Sequence, residues 1–125
     1  MTRILSIALL AAAAFAADPI ATGTWTLTGD VQGYPISESC VLAQTDAAIA
    51  GTCTDSAKVD RVVTGKITDK GFTFSHPSEY QGDPLTLTFA GTLDDTGKLN
   101  GTIDVQPLDY QGTFSATKAP ATPKP

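Results

Sequence analysis

The chain has 125 residues, thirteen acidic and eight basic, for a net charge of −5. That length supports one domain with one modest core. An acidic chain without a basic cluster is poorly suited to nucleic acid or to anionic membrane surfaces.

The chain opens with "MTRILSIALLAAAAFAADPI". Arg3 precedes an apolar run from Ile4 to Ala14, and Ala14-Phe15-Ala16 supplies an A-x-A cleavage pattern. This layout predicts a secretory signal peptide over residues 1–17. The run is shorter than the roughly 20 apolar residues a spanning helix needs, so no membrane span is expected. The first cysteine is Cys40, too far downstream for a lipid anchor at the cleavage site. The exported chain keeps seven Lys/Arg against thirteen Asp/Glu, a net charge of −6. The expected location is periplasmic or secreted.

From residue 18 the pattern has period two, with no helical spacing sustained beyond one turn. Apolar residues alternate with polar ones around Trp25 and Leu27 and around Cys40 and Leu42, then along Ile49, Gly51 and Cys53 and along Val63, Gly65 and Ile67. The alternation continues through Phe72 and Phe74, then Leu85, Leu87, Phe89, Gly91 and Leu93. It ends along Leu99, Gly101, Ile103 and Val105 and along Tyr110, Gly112 and Phe114. Each run reads as a half-buried antiparallel strand. Turn signals separate the runs: "VQGYP", "TDA", "TDKG", "YQGDP", "DDTGK" and "QPLDY", with "DSAKVD" as a polar connection. Eight strands are predicted, roughly 23–31, 35–45, 48–55, 60–68, 71–80, 85–94, 98–106 and 109–117. Short links throughout make an up-and-down antiparallel meander, and closing it into a small β-barrel removes both exposed edges. The fold class is therefore all-β, with a barrel domain over 18–117. The tail "ATKAPATPKP" alternates proline with small and basic residues and reads as an extended end, disordered over 118–125.

Export places the two cysteines in an oxidising compartment. A two-residue turn at Asp46-Ala47 sets Gln44 against Ile49, Leu42 against Gly51 and Cys40 against Cys53. That register predicts a Cys40–Cys53 disulfide. The phrase G-T-x recurs at Gly23, Gly51, Gly91, Gly101 and Gly112, with Gly65-Lys66-Ile67 as a sixth variant. The spacings are irregular, so this is not a repeat protein. The glycines fall on the inward face, where they permit strands to bend and leave room for an aromatic opposite.

Gly23-Thr24-Trp25, opening the first strand of a short eight-stranded meander, resembles the G-x-W signature of calycins, the group that includes lipocalins and avidins. The resemblance implies that Trp25 packs across the closed end of the barrel and that the open end holds a ligand. Biotin is not implied, because Gly51-Thr52-Cys53 stands where an avidin carries a tyrosine, and Trp25 is the only tryptophan. No helix follows the last strand as in lipocalins, so a large lipid cavity is not implied either. The chain is also similar to a small periplasmic inhibitor of bacterial metalloproteases, an exported barrel with an early G-x-W and one disulfide. That inhibitor acts through a free N-terminal stretch; here "ADPIAT" precedes the first strand. The stretches "FTFSHPSEYQGDPLTLTFAGTL" and "GTFSAT" resemble bacterial exported β-rich domains of unassigned function.

Little in the chain points to catalysis. His76, in "SHPSEYQGDP", reads as a solvated loop histidine, and His76 with Glu79 falls short of the three or four ligands of a metal site. Asp94-Asp95-Thr96-Gly97 lacks the alternating ligands of an EF-hand and reads as a hairpin turn. Asp55, Asp60 and Arg61 read as a solvated charged connection, and no serine sits in a nucleophile-elbow context. The expectation is a monomeric binding module with no enzyme activity, cofactor or metal. Its small apolar ligand would meet Trp25, Leu27, Phe74, Leu87, Phe89 and Phe114 inside, and Tyr34, Tyr80 and Tyr110 at the loops. The alternatives are a periplasmic protease inhibitor or envelope accessory acting by protein contact, and a purely structural domain.

Overall fold

The computed structural model describes residues 20–119. The signal peptide expected over 1–17 and the tail beyond residue 119 lie outside the described residues. Eight strands follow in chain order: β1 (Gly23–Val31), β2 (Tyr34–Thr45), β3 (Ala48–Thr54), β4 (Asp60–Ile67), β5 (Gly71–Tyr80), β6 (Asp83–Leu93), β7 (Leu99–Gln106) and β8 (Tyr110–Lys118). Each pairs antiparallel with its sequence neighbours, and β1 pairs with β8 to close the barrel. The last strand continues into the stretch read as a tail: Ala116 pairs with Leu27 and Lys118 with Trp25. Ala116 is buried, and its small side chain fits the inward phase set by Phe114.

The register of the first half follows the predicted turn. Thr45 pairs with Ala48 around Asp46-Ala47, and Leu42 with Gly51, which brings Cys40 opposite Cys53. The two form a disulfide with Cα atoms 3.9 Å apart, and both are completely buried. Two other hairpins turn on Gln-Gly: Gln32-Gly33 (φ 55° and 84°) and Gln81-Gly82 (φ 53° and 86°). Positive φ at both turn residues is what the right-handed strand twist requires of a two-residue hairpin.

Inward side chains stack as a column. Trp25 meets Phe72 edge-on at 5.3 Å, Phe72 meets Phe74 at 6.0 Å, and Phe74 stacks on Phe89 at 4.9 Å. Phe114 meets Phe89 edge-on at 5.3 Å. The barrel interior at this level is therefore solid, as eight strands allow. Four of the five outward threonines of the G-T-x phrases (Thr24, Thr92, Thr102, Thr113) are exposed, and Thr52 is half-buried. A polar exterior around an apolar interior is the reverse of a lipid-facing barrel. No helix among the described residues is long and apolar enough to cross a membrane.

The glycine positions are explained by the neighbouring strand more than by an aromatic across the barrel. A Cβ on Gly51 would collide with the Val41 carbonyl oxygen and lie 3.0 Å from the Leu42 Cα. A Cβ on Gly101 would collide with the Ala90 carbonyl oxygen. Strands of a narrow barrel coil steeply, and at these points the inward face of one strand turns onto the backbone of the next.

One end of the barrel is sealed. Ala21 is completely buried, and its carbonyl accepts the Trp25 indole N–H at 2.9 Å. Its amide donates to Gln44 Oε1 at 3.0 Å. The Lys118 ammonium stands 5.5 Å from the Trp25 ring centre and donates to the Thr22 carbonyl at 3.0 Å. Trp25 thus plugs the closed end, where the first strand begins.

Candidate functional site

The opposite end carries the turns 31–34, 54–60, 80–83 and 105–110, and there the barrel opens. The reason begins at Pro77. In a two-residue hairpin the closing pair exchanges hydrogen bonds and the pairs then alternate. Tyr80↔Asp83, Ser78↔Leu85 and His76↔Leu87 are thus the bonded pairs of β5 with β6, and Pro77 turns its nitrogen toward β4. Lacking an N–H, proline cannot continue that ladder. The β4–β5 pairing accordingly stops at Thr64↔Ser75. Beyond that pair the two strands part.

A cavity of about 590 Å³ occupies this end. Its volume falls within the usual range of small-molecule sites, about 300–1,000 Å³. The floor consists of its most buried lining residues, Val31, Glu38, Leu87 and Val105. Ile36, Leu85 and Leu108 add apolar wall, Arg61 and Asp55 stand along the open seam, and Tyr34, Tyr80 and Tyr110 form the rim. Tyr34 and Tyr80 come from two different hairpins and meet edge-on at 5.7 Å above the mouth. Each flanks a Gln-Gly turn, so the turn geometry sets where its ring lies.

Of the nine residues expected to meet a ligand, four line this cavity: Leu87, Tyr34, Tyr80 and Tyr110. The other five do not. Trp25 belongs to the plug at the far end, and Leu27, Phe74, Phe89 and Phe114 are buried in the solid core. Inward phase selects a side of the strand but not a height in the barrel.

His76 requires a correction. It is not a solvated loop residue: it lies within β5 and is only 2% exposed. Phe72, Phe74 and His76 share one phase, and the imidazole sits 5.5 Å from the Phe89 ring. Its partner is Glu38 on β2, 7% exposed, with Nε2 to Oε1 at 2.8 Å. The Nδ1 atom lies 2.7 Å from the Pro77 carbonyl. A carbonyl oxygen only accepts, so Nδ1 carries a proton and donates. The proton between Nε2 and Glu38 then decides the charge. Burial disfavours the imidazolium, but the Glu38 carboxylate, by hydrogen bond and by charge, and the Pro77 carbonyl outweigh it. His76 is held above its ordinary value of 6.5. Glu38 also lies beside the disulfide, its carboxylate within 4.8 Å of both sulfurs. Sulfurs joined to each other have no thiolate to offer a metal, so this cluster is packing and not a metal centre.

Glu38 and His76 were legible in part. Ile36, Glu38, Cys40 and Leu42 share one phase, as do Phe72, Phe74 and His76. A charged residue in phase with a core stripe is the signal for a buried polar group with a partner.

The second ion pair shapes the seam. Arg61 Nε donates to Asp55 Oδ2 at 3.2 Å, with both side chains mostly buried. Asp55 Oδ1 accepts the amides of Ala57 at 3.0 Å and Val59 at 3.1 Å. Burial alone would raise the Asp55 pKa, but these amides and Arg61 bring it below its ordinary value of 3.8. One carboxylate thus folds the β3–β4 loop and anchors the arginine. Of the charged connection seen in the sequence, Asp55 and Arg61 wall the cavity, while Asp60 is exposed.

Charge is distributed unevenly between the two ends. Around the open half stand Asp30, Glu38, Asp55, Asp60, Glu79, Asp83, Asp104 and Asp109, against Lys58 and Arg61. Around the closed half Asp46, Asp69, Asp94 and Asp95 are balanced by Lys66, Lys70, Lys98 and Lys118. The acidity of the chain is concentrated at the mouth. Comparison with protein-family models, with curated proteins and with solved structures returned no match.

Proposed function

We propose that this protein is an exported, calycin-like binding module that holds a small, largely apolar ligand at its open end. The observation that carries this reading is the cavity of about 590 Å³, walled by aliphatic side chains and rimmed by three tyrosines, above a solid core. The filled lower barrel supplies rigidity, and the parted β4–β5 seam supplies space. The charged groups at the floor and seam stand in ion pairs, Glu38 with His76 and Arg61 with Asp55. The signal-peptide-like start and the disulfide support export.

The inhibitor alternative has less support. Ile20 and Ala21 pack against the core at the closed end and do not extend freely before β1. Native mass spectrometry of the protein purified from the envelope or medium of its own host tests the reading. A retained small molecule of constant mass is the expected result. A species of bare-chain mass that copurifies stoichiometrically with a second protein would overturn it in favour of a protein-contact role.

A further inference from the structure

The cavity has a chemical preference that its apolar walls do not set. Glu38 reaches its floor with one oxygen bonded to His76, while its second oxygen, Oε2, has no hydrogen-bond partner among the described residues. The side chain is only 4% exposed. A carboxylate oxygen so placed is a strong acceptor at the end of an apolar shaft. Above it stand three tyrosine rings, whose faces attract cations in addition to stacking with neutral rings. Around the mouth lies the acidic half of the barrel, with Glu79 in the lining itself. Such a rim concentrates cations and repels anions.

Arg61 is the opposing feature. Its guanidinium lines the cavity, but Asp55 offsets its charge through the bond at 3.2 Å. His76 likewise meets Glu38 only on the Oε1 side. The remaining field at the mouth is negative.

We propose that the ligand is an organic cation: a protonated amine carried on an apolar body about the size of one or two rings. The ammonium lies against Glu38 Oε2 or under the tyrosine faces, and the body fills the space between Leu87, Leu85, Ile36 and Val105. This inference rests on the small-molecule reading of the cavity and adds its charge.

The test uses three probes that share an indole ring and a short side chain: tryptamine (cationic), tryptophol (neutral) and indolepropionate (anionic). Each is titrated calorimetrically into the full exported chain at neutral pH and low salt. Tryptamine is expected to bind about 10-fold more tightly than tryptophol, the scale of one desolvated cation–π or charged hydrogen bond. Indolepropionate is expected to bind most weakly. Glu38→Gln and, separately, Glu79→Gln reduce the ratio of tryptamine to tryptophol affinity. Added salt weakens tryptamine and not tryptophol, a readout that needs no variant. Equal binding of tryptamine and tryptophol, or tightest binding by indolepropionate, overturns the charge inference and leaves the cavity reading standing. Binding by none of the three overturns both.

Discussion

Replacing Glu38 with glutamine removes the carboxylate facing His76 and preserves side-chain volume. In the parent protein the imidazole donates from Nδ1 to the Pro77 carbonyl and from Nε2 to Glu38, at 2.7 and 2.8 Å. A hydrogen bond to a charged partner contributes about 1.5–3 kcal/mol net and a neutral one about 0.5–1.5 kcal/mol. The substitution should therefore cost about 1–2 kcal/mol near pH 6.5, with the loss growing toward lower pH, because burial then opposes charging of the imidazole in the folded variant. The pH dependence carries more information than the size. His76 in the folded protein binds its proton more tightly than the ordinary 6.5. Its contribution is complete below that value and is lost as pH rises through the raised folded pKa. In the Glu38→Gln protein the groups that raise it are reduced to the Pro77 carbonyl, and burial then dominates. The folded pKa falls below the unfolded one, so stability rises with pH up to the ordinary value of 6.5 and levels off above it, where the parent declines. Urea unfolding followed by Trp25 fluorescence from pH 5.5 to 9 reads both slopes. The lowered carboxylates Asp55 and Asp94 act only as pH falls through and below their ordinary 3.8, outside this window. A variant retaining the downward slope of the parent would refute the assignment to His76 and Glu38.

The disulfide links residues thirteen apart in sequence, and closing a loop of that size stabilises the fold by about 3 kcal/mol in the chain-entropy model. The Cys40→Ala/Cys53→Ala protein should lose that amount in urea unfolding, and an unchanged midpoint would contradict it. Gly101→Ala drives a methyl into the Ala90 carbonyl oxygen, which belongs to the backbone and cannot rotate away. A loss of about 2–3 kcal/mol is expected from such overpacking. For Gly91→Ala, across the ladder from it, the three nearest atoms all belong to the Leu99 side chain, the closest at 2.6 Å. Its cost should be about 1 kcal/mol or less, and thermal unfolding of the two variants checks the order.

The architecture was legible because period two is a local signal and eight short-linked strands leave few ways to bury one face. The turn at Asp46-Ala47 carried the Cys40–Cys53 pairing with it, since a hairpin register is fixed by its turn. What was not legible is depth. Phe74, Phe89 and Leu87 share the inward phase, yet only Leu87 reaches the cavity, because its height depends on strand tilt and on where the barrel closes. The cavity arises from a long-range cause, the failure of β4 and β5 to stay paired past Pro77. That proline appeared in the sequence only as a neighbour of His76. His76 itself was misplaced because the turn-like residues around it outweighed its phase with Phe72 and Phe74. Its partner Glu38 lies thirty-eight positions away, a separation no local pattern spans.

The central claim is that the open end, and not the interior or the sealed end, accepts a small molecule. An amide chemical-shift titration with tryptophol tests it most directly. The account predicts saturable shifts at Tyr34, Tyr80, Leu87 and Val105, with the Trp25 indole N–H, bound to the Ala21 carbonyl, unmoved. Shifts centred on Trp25 and Phe72, or no saturable shift at any residue, would contradict it.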